Sequence, residues 1–202
     1  MPKVVDHEGR RREIAEAVRR TVARRGIEAT TVRDIAEEAG CSTGVLAHYF
    51  DGKDALILHA LNVSIESAVE RMEERSRRVG GTEALRAILK EALPLDEERR
   101  AEWRVWLGFW GRAANSAALK EVQRRRYDLW RAAVQSLLEE GQREGAVAPN
   151  LDVVREATSL VALVDGIGIQ ATFEPDRLSP KEQIAHLDRY LSRLAGGSVS
   201  TL

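Results

Sequence analysis

Residues 31–50, TVRDIAEEAGCSTGVLAHYF, constrain this chain more than any other stretch. Thr31 with Asp34 three residues later is a capping-box-like helix start. Gly40 closes that helix, and Ser42 caps a second one that ends against DGKD. Ile35 and Ala39 face inward, Ala36 is small where two helices cross, and Leu46 anchors the second helix apolarly. A small residue, a glycine four positions on and an apolar residue six beyond that meet the steric needs of a helix-turn-helix, whose turn has no room for a large side chain.

Gly44 is costly in so short a helix, by about 1 kcal/mol relative to alanine. The pattern turns Thr43, Gly44, Ala47 and His48 away from the core, on the face that enters the DNA major groove in such motifs. There a glycine lets the backbone approach DNA closely. Helix-start N–H groups near Ser42 and Thr43 suit a phosphate oxygen. Tyr49 can offer its hydroxyl and Lys53 its charge to the same strand, with Thr31 and Arg33 on the opposite backbone. Charge argues neither way across residues 1–54, with ten Lys or Arg and ten Asp or Glu, although 42–50 carry no acid and Arg10–Arg12 offer a basic arm. A generic three-helix bundle also puts small residues at its turns, so the pattern alone leaves DNA binding open.

The helix-turn-helix, the HYF triplet at 48–50 and KDAL at 53–56 together resemble the TetR family of bacterial transcriptional regulators over about residues 10–57. That resemblance implies an all-α, nine-helix body, a homodimer on a pseudo-palindromic operator, usually repression, and release of DNA by a small molecule held in the C-terminal domain. The family often has a DNA-contacting tyrosine where this chain has Ala47, which leaves His48 and Tyr49 as the aromatic contacts carried over.

The rest of the chain is helical by periodicity, without a convincing alternating strand. Helices are expected at about 10–25, 52–77, 82–93, 96–114, 116–144, 151–173 and 180–194, besides the two short ones, with SPKE at 179–182 opening the last. The division expected is a DNA-binding domain over 1–54 and an effector-binding and dimerisation domain over 55–202. Hydrophobic residues at 44% and charged residues at 31% fit a globular chain. A net charge of −1 gives no bulk attraction to nucleic acid or anionic membrane. One cysteine, Cys41, excludes an intrachain disulfide. With no apolar signal core and no run near the roughly 20 residues of a membrane span, the expected location is cytoplasmic, with no membrane partner and no metal or cofactor.

All four tryptophans lie between 103 and 130. Trp103, Trp106 and Trp110 share one helical face, and Tyr127 and Trp130 follow on the next helix. They either line a ligand pocket, where tryptophan faces suit cationic ammonium groups, or pack as core. Asp165 interrupts the apolar LVALVDGIGIQATF, a costly placement for an unpaired carboxylate. It either answers a group of the chain or meets a polar or cationic ligand, and Gln170 and Phe173 are further candidates. The 100–173 region resembles the BetI-containing subgroup of the TetR family, which implies a quaternary amine or polyamine effector.

Residues 153–167 are apolar around most of their helix, and Ile184, Leu187, Leu191 and Leu194 form a seam at spacings of three, four and three. Gly166 and Gly168 allow close helix approach. Val161, Val164, Gly168 and that seam are the dimer-contact candidates, though the seam can equally dock within the chain. An enzyme is disfavoured: no histidine follows a glutamate by three residues, and no HExxH or phosphate-cradling glycine loop occurs. A ligand-independent DNA-binding protein and an activator remain open alternatives.

Overall fold

The computed structural model describes residues 7–76 and 81–194, and all regular structure among them is helical. The helices are α1 (His7–Arg25), α2 (Val32–Glu38), α3 (Thr43–Tyr49), α4 (Gly52–Ser76), α5 (Gly81–Glu91), α6 (Glu97–Ala113), α7 (Ala117–Arg143), α8 (Val153–Phe173) and α9 (Pro180–Leu194). Local chemistry sets their ends. Gly26, at φ +76°, stops α1. Thr31 Oγ1 accepts from the Asp34 N–H at 3.2 Å while the Asp34 carboxylate accepts from the Thr31 N–H at 2.9 Å, a complete capping box. Ser42, Ser116, Asp152 and Ser179 cap α3, α7, α8 and α9 in the same way, each accepting from the N–H three residues on.

Two compact units form. The first takes the chain up to Ser67 together with Ala101–Arg112; the second takes Ala68–Arg100 and everything from Ala113. Compactness therefore draws a line different from the division expected at 54/55, and gives the first unit the middle of α6.

In the first unit Ile14, Val18, Ile35, Leu46, Leu56 and Leu61 are fully buried. The turn between α2 and α3 is made by Gly40 at φ +62°, a left-handed conformation that a side chain would strain, and the Cys41 N–H returns to the Ala36 carbonyl at 2.9 Å. The middle of α6 adds Val105 and Phe109 to the buried set. Gly108 permits this: a Cβ there would lie 2.6 Å from Ile27 Cγ2. Arg112, at the end of the same stretch, pairs with Glu28 at 3.3 Å and also with Asp54.

In the second unit α5, α7, α8 and α9 enclose a core of Leu85, Leu89, Val134, Leu138, Leu160, Val164 and Leu187. Arg86 grips Asp188 with two bonds of 2.5 and 2.9 Å, tying α5 to α9. No helix among the described residues is long and apolar enough to cross a membrane.

Candidate functional site

The helix-turn-helix places its residues by burial. Leu46 and Phe50 point inward, whereas Ser42, Thr43, Gly44, Ala47 and His48 are exposed on the opposite side of α3. A Cβ at Gly44 would meet only Ser42 Oγ, at 3.7 Å, so nothing within the chain requires a glycine there. Thr43 and Gly44 also carry first-turn N–H groups, which an α-helix leaves without an internal acceptor.

The HYF triplet is divided among three environments. His48 is exposed. Tyr49 is half-buried, with its ring edge-on to His48 at 5.3 Å and its hydroxyl 3.1 Å from His7 Nδ1 on α1. Phe50 is buried under the Arg11 guanidinium, 4.9 Å from its ring, and beside His59. Burial holds His59 below the usual imidazole range, and its Nε2 lies 3.0 Å from the Arg11 carbonyl. Lys53 donates to the Glu28 carbonyl at 3.1 Å. Arg33 is exposed, while the Thr31 hydroxyl is committed to the capping box, donating to Asp34 at 2.7 Å.

The basic run at 10–12 is not an arm but part of α1. Helical spacing pairs Arg10 with Glu13 at 2.6 Å, and Arg11 covers Phe50, a contact between residues far apart in the chain that the linear sequence does not reveal. Three more arginines tie α1 to α2, Arg20 and Arg24 pairing with Glu38 and Arg25 with Asp34, while Arg19 pairs with Glu16 within α1.

The aromatic residues fall into two sets in different units. On α6, Trp103 and Trp110 meet edge-to-face at 5.8 Å, Trp106 and Trp110 lie 6.1 Å apart, and Trp106 stands edge-on to Phe109. Trp103 is buried, and Trp110 Nε1 is buried with no acceptor among the described residues. On α7, Tyr127 and Trp130 pack against the second unit's core.

Asp165 on α8 accepts a 2.7 Å hydrogen bond from the Tyr127 hydroxyl. Burial raises the Asp165 carboxyl above the usual carboxylate range, against the bond from Tyr127 and the positive charge of Arg131. Burial likewise raises the Tyr127 phenol, with the bond to Asp165 adding to the shift. Desolvation brings the neighbouring Arg126 guanidinium down to about 10. Gln170 and Phe173 lie further along α8 and are exposed, 72% in the case of Phe173. A cleft of about 320 Å³ at the start of α7, lined by Ser116, Lys120, Glu121 and Arg124 among others, takes in none of the expected ligand residues.

The dimer candidates divide by burial. Val161, Val164, Leu187 and Leu194 are buried within the chain's own second unit, so their side chains are spent there, and Gly168 is buried too; Ile184 and Leu191 are half-buried. The exposed side of α8 instead presents Val154, Thr158, Ala162 and Phe173, with open space beside Gly166. Periodicity marked α8 as apolar on most sides but could not say which side its own unit consumes. Gly108 and Arg112 were also missed, because a glycine against Ile27 and an arginine between two acids more than fifty residues away have no local signature.

A capped three-helix unit with an exposed, acid-free second helix of the motif, joined to a larger helical unit, defines a DNA-binding transcriptional regulator of the helix-turn-helix class. The chain belongs to the TetR family: residues 14–60 match the model of bacterial regulatory proteins of the tetR family, and residues 81–196 match that of the BetI-type transcriptional repressor C-terminal region. Among curated relatives, the HTH-type transcriptional regulator PksA of Bacillus subtilis is 34% identical over 180 residues, covering 89% of this chain and 86% of that one. The regulator BetI 2 of Chromohalobacter salexigens is 28% identical, covering 96% and 92%. Among solved structures, a transcriptional regulator from Saccharomonospora viridis in complex with choline superposes with a TM-score of 0.84 at 28% identity, covering 92% and 97%. All-α architecture, helix-turn-helix and transcriptional role agree with the sequence reading.

Proposed function

We propose that this regulator binds a pseudo-palindromic operator as a homodimer through residues 1–54, represses transcription, and is released by a small cationic amine or quaternary ammonium compound held by residues 55–202. The observation that carries the DNA-binding assignment is the burial split of α3, with Leu46 inside and Thr43, Gly44, Ala47 and His48 outside. Arg33, Ser42, Thr43, Gly44, His48, Tyr49 and Lys53 are the contacts, and Thr31 acts by fixing the start of α2. Tyr49 reaches phosphate by exchanging its contact with His7, and Lys53 by leaving the Glu28 carbonyl. A cytoplasmic location and the absence of enzymatic activity go with this role.

One recognition helix reads too few base pairs for high specificity, so two symmetric copies are required. The contact face is the α8 stripe of exposed Val154, Thr158 and Ala162 with the half-buried Gly166, together with the half-buried Ile184 and Leu191 of α9. On the effector side, support comes from Asp165 and Tyr127 and from the choline bound by the Saccharomonospora viridis relative. The mutual packing of Trp103, Trp106 and Trp110 favours core as the role of that set.

Selection of bound sequences from random DNA at stated salt tests the proposal, and an inverted repeat is the expected product. Enrichment of no site by a folded dimer would overturn it. Against the selected operator, Tyr49→Phe should cost about 1 kcal/mol. Lys53→Ala should weaken all sequences alike and lower the salt slope by about one. A changed base preference with an unchanged slope would remove Lys53 from the phosphate contacts.

A further inference from the structure

The outward face of α3 is poor in groups that hydrogen-bond base edges. At about 100° per residue, helical spacing puts Gly44 and His48 in the middle of that face. Ala47 stands on one flank and Val45 on the other, all of them exposed, with buried Leu46 and Phe50 opposite. Thr43–Tyr49 include no arginine, lysine, asparagine or glutamine. Those are the side chains that make bidentate bonds to guanine and adenine in the major groove. With the Tyr49 hydroxyl beside His7, Thr43 and His48 are the hydrogen-bonding side chains this face offers.

The rest of its chemistry is apolar. Val45 is 37% exposed, whereas the other exposed large hydrophobics among the described residues, Leu129, Val154 and Phe173, all belong to the second unit. One exposed valine on an ordinary surface needs no explanation. This one lies on the helix of the motif that enters the groove. Gly44 fits the same picture, because a centre without a side chain lets the helix settle close to the base edges. A long side chain can reach a base from a distance, but Ala47 ends at Cβ and Val45 at Cγ. Both the glycine and the short flanks therefore call for close approach. Among the groups that base pairs show in the major groove, the apolar one is the C5-methyl of thymine.

We infer that Val45 and Ala47 are base-reading residues that select thymine, each packing on a thymine C5-methyl, so that every operator half-site holds T·A pairs at both positions. A cytosine there would press its amino group, stripped of water, against an apolar side chain. The inference rests on the DNA-binding reading above and names the base that is recognised.

The test titrates the full chain with its selected operator, each thymine of one half-site replaced in turn by deoxyuridine. That base keeps every hydrogen-bonding group of thymine and lacks only the C5-methyl. Binding should weaken about fourfold at each of two positions, the effect of one buried methyl group. Val45→Ala should lower the penalty to under about twofold at one of them and leave the other unchanged. Val45 is exposed and alanine is the better helix former, so this variant keeps the fold. Full affinity for every deoxyuridine operator, or half-sites without thymine, overturns the inference and leaves DNA binding standing. So does a set of penalties that Val45→Ala leaves unchanged, since the methyl groups then act through DNA shape and not through this side chain. If selection yields no operator, the DNA-binding reading falls and the inference falls with it.

Discussion

Gly44 in α3 and Gly108 in α6 are the same residue in the same backbone state, each costing its helix about 1 kcal/mol relative to alanine, yet they are kept for opposite reasons. Around Gly108 the chain itself closes in, and a Cβ would stand 2.6 Å from Ile27. Around Gly44 a Cβ would touch one hydroxyl at ordinary distance. The first glycine is explained by packing and the second is not, so the reason for Gly44 lies outside the chain. Asp165 resembles Gly44 in this respect: a residue its own helix does not favour, with too little inside the protein to justify it.

The contrast can be broken by substitution. Gly108→Val should show the largest effect, a loss of about 3 kcal/mol in urea unfolding, at the upper end of overpacking costs. An unchanged midpoint would mean that Ile27 moves aside and that the two glycines are alike. Thr31→Ala removes the α2 cap and should cost about 1 kcal/mol, with operator affinity falling only as far as the folded population does. Gly44→Ala should raise stability by about 0.5–1 kcal/mol through helix propensity while weakening operator binding. If instead it left binding untouched, close approach to DNA would not explain the glycine.

The smallest effect belongs to Asp165 and is read as a pH dependence. Burial raises its carboxyl in the folded chain, so the folded state holds the proton more tightly than the unfolded state does. Stability from this group is therefore fully present below the unfolded carboxylate value and declines as pH rises through the folded one. Asp165→Asn should remove that decline, making the variant the more stable chain above this window while it binds cations less well. Thermal unfolding of both chains from pH 4 to 8 would settle the sign, and a difference that shrinks as pH rises would contradict the burial account.

Much of the architecture was legible because its signals are local. Thr31, Ser42 and Ser179 cap the residues immediately after them, Gly26 and Gly40 occupy left-handed positions that end helices, and apolar spacing located the long helices. The described helix ends fall within three residues of those expected. The candidate sites were legible in part. Spacing put Trp103, Trp106 and Trp110 on one face, where they do touch, but did not say that they would pack on one another or that Tyr127 and Trp130 would belong to a second unit. The apolar count of α8 suggested a partner, while the split between inward Val161 and Val164 and outward Val154 and Ala162 depends on where α7 and α9 lie.

Taken by itself, the sequence determined the all-helical architecture, the helix-turn-helix and its outward residues, since caps, turns and a 3.6-residue period act between residues a few positions apart. Only the tertiary structure decided that Gly108 receives Ile27, that Arg112 joins Glu28 and Asp54, that Arg11 covers Phe50, and that Tyr127 answers Asp165. Those pairings depend on the relative placement of helices far apart in the chain, which packing of whole faces sets and no local spacing encodes.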